Sequence, residues 1–518
     1  MRIGDLIARG AKYYPDKLAT VFKDVRLTYK ELNDRVNVVG NAILSAGIRK
    51  KDRVGIICHN SHFYQELFFG TAKTGAVFTT INWRLAPREL EFIINDAEVK
   101  LLFVADRYWA QIEPIKDKLS TIEQYIMIGE SVPGTISYED FIGSSSADEI
   151  NIEIDQHDTF WQLYTSGTTG RPKGVMLTHS NLYADAAHNI IGNRLNRDDV
   201  VWCQIYPMFH IALKFVIIIA YVQGTCIILE KFDLKELCEM IEQEKCNYLV
   251  MVPTMWQSFI DYPDLDKHDL SGLKYCGYSS SPMPVGLIKR LMKTFPDITF
   301  FQTYGLTESG SSLTILPADQ HVMDGPEHIV KRLGSLGRPM TGVDVRVVDE
   351  QDRDCPPGKI GEIIGRGDNI MKGYWKLPGE TKNTLKDGWL YTGDMGYWDE
   401  YGYIYMADRK KDMIISGGEN IYPNEVEQII REINGVIDVA VIGVPDDIWG
   451  EAVKAIIIKA HDSELNEEDV IRYCSQNIAS YKKPKSVDFV SDFPRGPTRK
   501  VLKRKLRENY WKDRQRKV

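Results

Sequence analysis

The chain has 518 residues, more than one ordinary hydrophobic core holds, so a large multilayer domain with at least one smaller domain is expected. Its 43% hydrophobic and 26% charged residues are the balance of a soluble globular protein, and a formal net charge of -8 argues against non-specific nucleic-acid binding. Eight scattered cysteines, with no CxxC pair or metal-ligand spacing, exclude a disulfide framework and point to a reducing compartment.

In chain order, the N-terminal MRIGDLIARGAKYYPDK interleaves charges with apolar positions and has no signal-like core. RVGIICHN (Arg53–Asn60) and KLLFVAD (Lys100–Asp106) read as strands, and SHFYQELFFGTAKTG (Ser61–Gly75) and PRELEFIINDA (Pro87–Ala97) as the helices between them. The longest apolar run, FVIIIAYV (Phe215–Val222), falls far short of the roughly 20 residues a membrane span needs, so a cytoplasmic protein without stable membrane insertion is expected. The amphipathic DLKELCEMIEQE (Asp233–Glu244) precedes the strand-like KCNYLVMVP (Lys245–Pro253). Strands alternating with helices imply an α/β fold, with parallel sheets covered by helices.

Beyond Met340 the texture changes. GVDVRVVDEQDRDCPPGKIGEIIGRG (342–367) is strand-rich with frequent turn residues, a small β unit. YGYIYMADRKKDMIISGGENIYPNEVEQII (401–430) then runs a strand, a charged connector, a strand, a glycine turn and a helix. The connector Asp408–Asp412 marks the expected boundary between a large domain, 1–408, and a small α+β domain, 409–518. The basic C-terminal RGPTRKVLKRKLRENYWKDRQRKV (495–518) reads as a solvated tail or helix face.

The stretch YTSGTTGRPKGVMLTH (Tyr164–His179) packs small hydroxyl residues, three glycines and Lys173 into one short span. Such a turn offers backbone N–H groups and hydroxyls to phosphate oxygens, and the lysine adds a point charge. It is not a Walker loop: counting from Gly167, the sixth place is Pro172, which lacks an N–H, and Lys173 is followed by Gly174 rather than Ser or Thr. The loop therefore reads as a polyphosphate binder of another kind.

YTSGTTGRPKG resembles the phosphate loop of the AMP-forming acyl-CoA synthetases, the adenylate-forming superfamily that also contains firefly luciferase and peptide-synthetase adenylation domains. YPMFH (206–210), QTYGLTES (302–309), GWLYTGD (388–394), DRKKDMI (408–414), GGENIYPNEVE (417–427) and FPRGPTRK (493–500) follow in the family's order. The resemblance implies two steps. A carboxylate attacks the α-phosphate of ATP, giving an acyl-adenylate and pyrophosphate; the thiol of CoA then displaces AMP. The implied partners are ATP, Mg²⁺, CoA and a small-molecule carboxylic acid. The remaining readings are transfer to a carrier-protein thiol or another acceptor, luciferase-like oxidation, and non-catalytic binding of acyl nucleotides.

By the same resemblance Thr165, Ser166, Gly167, Thr168, Thr169, Gly170 and Lys173 hold the β- and γ-phosphates. Lys500 is the catalytic lysine that bridges carboxylate and α-phosphate, a task suited to a flexible ammonium. Two departures surround it: Arg499 stands where the family has glycine, and Gly496 where it often has a hydroxyl or amide side chain. Tyr304 stacks on adenine, with Gln302, Thr303 and Gly305 beside it, and Ser279, Ser280 and Ser281 match the strip along the other face. Thr307 contacts the α-phosphate and Glu308 holds Mg²⁺, a hard oxygen ligand for a hard cation. Asp394 accepts the ribose hydroxyls and Arg409 reaches the same ribose. Lys411 falls at the hinge about which the family's small domain rotates between half-reactions. Gly417 and Gly418 border the pantetheine channel, where the lack of side chains admits a narrow thiol arm. Lys482, Lys483 and Lys485 offer charge to the CoA phosphates.

His210 joins Lys500, Thr307 and Glu308 in the implied catalytic set as a pocket wall or gate, because a carboxylic acid is already ionised at neutral pH and needs no general base. His210, Lys214, Trp256, Gly277 and Tyr278 line the implied acyl pocket. The bulk of Trp256, Phe209, Tyr278 and Tyr304 favours a short or medium, branched or cyclic acid. Lys214 is out of place in HIALKFVIIIAYV: it snorkels outward, pairs with a buried carboxylate, or serves as a pocket cation for a polar or dicarboxylic acid.

Overall fold

The computed structural model describes residues 2–165, 172–195, 200–410, 412–416, 419–446, 448–478, 480–496 and 501–512; of Arg409, Glu419 and Asn420 only the backbone is described. The chain forms two compact units, Met1–Val345 with Gly365–Leu390, and Arg346–Ile364 with Tyr391–Val518.

The first unit is built on two large sheets with helices between successive strands. One has nine strands, in the order 338–339, 314–316, 299–304, 275–278, 248–251, 201–204, 225–228, 18–22 and 25–28. Its interior pairs are parallel and its edges antiparallel. The other has eight strands, in the order 373–374, 173–178, 159–165, 77–80, 53–57, 99–105, 124–128 and 136–137. Strands such as Val99–Ala105 are buried almost throughout, which is why their sequences are apolar runs rather than alternating ones. The strands read from sequence appear as Arg53–Ile57, Val99–Ala105 and Tyr248–Met251, and the helices as His62–Thr74, Pro87–Ala97 and Leu234–Glu244. Asp233 caps the last of these, accepting the Glu236 amide at 3.1 Å.

The second unit has its own five-stranded sheet, formed by 414–416, 419–421, 436–446, 450–459 and 486–489. Its core includes Ile414, Val426, Ile430, Val441, Val453 and Ile457. The unit also takes in 346–364 and 391–408, where strand Ile404–Arg409 pairs antiparallel with Trp389–Trp398.

The basic C-terminal stretch differs from its sequence reading. Helix Lys503–Glu508 is packed rather than solvated: Lys503 Nζ lies 2.7 Å from Glu427, Arg507 donates to Asp412 at 2.8 Å, and Leu506 is buried. Only the Arg504 side matches a solvated helix face. All eight cysteines are free and buried. Among the described residues no helix is long and apolar enough to cross a membrane.

Candidate active site

The phosphate-loop motif joins two antiparallel strands, Thr159–Thr165 and Lys173–Thr178, with Thr165 opposite Lys173 and Tyr164 opposite Gly174. Ser166, Gly167, Thr168, Thr169 and Gly170 lie outside the described residues. Gly174 is required by close approach, since a Cβ there would sit 2.8 Å from Gln162 Nε2 and 3.1 Å from the Tyr164 ring. The Tyr164 hydroxyl donates to Asp96 at 2.6 Å and so pins the strand that leads into the loop.

A third strand, Gly373–Tyr374, pairs with Met176 and Val175. It brings the Tyr374 ring to 5.1 Å from Lys173 Nζ, which also pairs with the Glu380 carboxylate. The Tyr374 hydroxyl donates to Glu308 at 2.8 Å. Burial first, and the Glu308 charge second, hold the Tyr374 phenol well above its ordinary pKa, so it stays a donor. Sequence reasoning missed both Tyr374 and Glu380.

Glu308 sits in the short turn Thr307–Ser309 after strand Thr299–Tyr304. Gly305 permits that turn, since a Cβ there would meet the Ser311 and Ser312 backbone at 2.5 Å. Asn369 donates to the Ser309 and Ser312 carbonyls at 2.8 and 2.6 Å, and the Met371 amide donates to the Glu308 carbonyl at 2.8 Å. The segment 369–374 thus staples the turn that carries Thr307 and Glu308. Thr307 and Tyr304 are buried, Thr303 and Gly305 half-buried. Gln302 is buried in the same strand.

Around the residues expected to line the acyl pocket, Asn60 fixes the YPMFH segment: it donates to the Tyr206 and Leu229 carbonyls at 2.8 and 3.0 Å and accepts the Met208 amide at 2.7 Å. His210 is half-buried directly before the turn Ile211–Leu213. Trp256 is fully buried, and its indole N–H is spent on the Gly277 carbonyl at 3.0 Å. Tyr278 meets His321 Nε2 at 2.9 Å, with His321 Nδ1 3.1 Å from the Pro317 carbonyl. Ser279 and Ser281 are half-buried, and Ser280 adopts a left-handed φ of 73°.

Lys214 does not snorkel. It is buried at the start of helix Lys214–Tyr221, with Nζ 2.9 Å from Asp185 and 2.8 Å from the Ser312 hydroxyl. Asn189 also donates to Ser312, at 2.9 Å. Burial pushes the Lys214 pKa down and the Asp185 pKa up, and their mutual attraction opposes both shifts. The lysine is a structural partner.

The second unit holds the remaining predicted residues. Asp394 and Arg409 are cross-strand partners, the former buried. The Gly393 amide donates to Glu362 at 3.0 Å, and the Asp394 amide to Thr392 Oγ1 at 3.0 Å, which fixes the strand around the carboxylate. Lys482 is tied to Glu425 at 2.6 Å. Lys411, Gly417, Gly418, Arg499 and Lys500 lie outside the described residues; Arg495, within the FPRGPTRK motif, and Val501, directly after it, form an antiparallel bridge.

The strand pair that bears Lys173 is thus joined, through Tyr374, to the turn that bears Glu308. Residues 7–375 match the model of the AMP-binding enzyme family and residues 425–500 that of the AMP-binding enzyme C-terminal domain, so the chain belongs to this family. Long-chain-fatty-acid--CoA ligase FadD13 of Mycobacterium tuberculosis is 36% identical over 94% of both chains. Fatty acid--[acyl-carrier-protein] ligase ScoC of Streptomyces coeruleorubidus is 32% identical over 98% of this chain and 96% of its own. The crystal structure of the anthranilate CoA ligase AuaEII with anthranoyl-AMP superimposes with a TM-score of 0.90, at 26% identity over 98% of this chain and 97% of that one.

Proposed function

We propose that the protein activates a carboxylic acid with ATP, releasing pyrophosphate, and transfers the acyl group from the adenylate to CoA, releasing AMP. The observation that carries this reading is the union of Lys173 and Glu308 on the two faces of Tyr374's chemistry: the lysine at its ring, the carboxylate at its hydroxyl. A cation for phosphate and a carboxylate for a metal would thereby stand on either side of one tyrosine, as positioning of a polyphosphate requires. Among the described residues there is no cluster of three or more His, Cys, Asp or Glu for a metal. A Mg²⁺ fits here as magnesium usually does, on one carboxylate, Glu308, with substrate phosphates and water as its other ligands. When bound it would neutralise phosphate charge.

The chain's own residues divide the rest. Lys173 would grip the β- and γ-phosphates, Tyr304 would stack on adenine, and Asp394 with Arg409 would hold the ribose. Lys500 would neutralise charge between the carboxylate and the α-phosphate, and rotation about Lys411 would exchange faces between the half-reactions, with 409–518 as the moving part. Since Lys214 is spent on Asp185, a dicarboxylate-selecting cation loses its support. The buried Trp256, Tyr278 and Tyr304 favour a short or medium, branched or cyclic acid.

The test is acid-dependent AMP release across short, branched, cyclic, aromatic and long acids, with and without CoA. Release that multiplies with CoA, and falls roughly 100- to 1,000-fold in Lys500→Ala, supports the reading. Release indifferent to CoA overturns the acceptor. A second reading, transfer to a carrier-protein thiol, is favoured by the full-length likeness to ScoC and predicts that a phosphopantetheinyl carrier replaces CoA.

A further inference from the structure

Lys173 is a largely buried cation whose partner is not. Its side chain is 10% exposed, whereas that of Glu380 is 37% exposed. The lysine stands at the root of the phosphate loop, opposite Thr165. Glu380 lies in the helix Pro378–Thr384, which is anchored to the same site: the Tyr374 amide donates to Thr381 Oγ1 at 2.9 Å, and that hydroxyl donates to the Leu377 carbonyl at 2.9 Å. The carboxylate is therefore delivered to Lys173 by the segment that also supplies Tyr374 to Glu308.

A lysine head that releases an anion from a largely buried position needs a replacement partner, because a lone charge there is disfavoured. The carboxylate oxygen is such a replacement, and its own exposure lets water take it when the lysine turns away. We propose that Glu380 is a resident counter-ion for Lys173, displaced by the β- and γ-phosphates when ATP binds and recaptured as pyrophosphate leaves. The proposal rests on the reading of Lys173 as the phosphate lysine. Glu380 touches no reacting atom; it is a positioning residue that weakens the hold on polyphosphate and so favours pyrophosphate release. AMP, which lacks the β- and γ-phosphates, is indifferent to it.

The experiment is titration calorimetry of the full chain with Mg·ATP, Mg·pyrophosphate and AMP, comparing wild type, Glu380→Gln and Glu380→Asp. Glu380→Gln is expected to bind pyrophosphate and ATP roughly fivefold more tightly, the factor a partly exposed pair is worth, with AMP unchanged and Glu380→Asp close to wild type. Unchanged or weaker pyrophosphate binding in Glu380→Gln overturns the proposal. So does tighter binding of all three ligands, which would mark a general field or a structural change. A shifted pyrophosphate affinity in a protein that releases no AMP with any acid sinks the proposed reaction and leaves the counter-ion standing. A wild type that binds neither ATP nor pyrophosphate sinks both.

Discussion

Lys214 and Lys173 are both buried lysines paired with a carboxylate, and both belong to motifs that read as ligand-binding, yet their surroundings differ. Lys214 and Asp185 are 4% and 1% exposed, and Ser312 and Asn189 complete their bonding. Glu380, the partner of Lys173, opens to solvent. The same contrast separates two tyrosines: Tyr278 ends on His321, itself closed on a carbonyl, whereas Tyr374 ends on Glu308, a half-buried carboxylate. A pair enclosed on both sides cannot exchange partners without baring a charge, so it is scaffold. A pair with one open member exchanges cheaply, so it suits a site through which a polyanion comes and goes.

The sharpest way to break this comparison is to remove one member of the enclosed pair. Lys214→Met leaves Asp185 buried without its cation and is expected to cost about 3–5 kcal/mol of stability, while Lys214→Met with Asp185→Asn recovers most of it. Urea denaturation of the two variants checks this. A single variant as stable as wild type would mean that water reaches Asp185 and the pair is not closed.

Acid probes the enclosed side next. Burial lowers the pKa of His321 and of His179 to about 4, below the ordinary 6.5 of the unfolded chain. Each has a ring nitrogen placed as an acceptor in the fold: Nε2 of His321 for Tyr278, and Nδ1 of His179 for the Ile3 amide at 3.2 Å. Protonation removes those acceptors. With folded values depressed, the unfolded state binds more protons between pH 6.5 and 4, so stability is complete above pH 6.5 and falls as pH drops through that window. Each histidine is expected to contribute a loss of about 1.4 kcal/mol per pH unit there. Melting temperatures from pH 7 to 4.5 read it; a His321→Gln variant with an unaltered slope would remove His321 from the account.

Much of the fold was legible because its signals are local. Apolar runs such as Val99–Ala105 and the amphipathic Leu234–Glu244 carry their periodicity within one element. The motif residues were legible for the same reason: QTYGLTES places Tyr304, Thr307 and Glu308 within one strand and turn. What completes the site was not. Tyr374 lies in a strand of two residues, too short for any period, and gains its meaning only by pairing with Val175, about 200 positions earlier. Glu380 meets Lys173 across a similar gap, and Asp185 is one turn-facing carboxylate in an unremarked helix until Lys214 is folded against it. Long-range partners of this kind leave no trace in spacing.

The smallest effect expected sharpens the open side. Tyr374→Phe keeps the ring under Lys173 and removes only the hydroxyl that orients Glu308. Because the lost bond belongs to a half-buried carboxylate that water can serve, stability should change by about 1 kcal/mol or less. With Glu308 in its proposed role as the Mg²⁺ ligand, the function should change more than the fold, since a partner that orients a metal-binding carboxylate is typically worth roughly tenfold in metal affinity. The concentration of Mg²⁺ needed for half-maximal AMP release should therefore rise about tenfold while the KM for the acid stays put. An equal rise in both would place Tyr374 among general supports of the fold, and would erase the distinction between its hydroxyl and that of Tyr278.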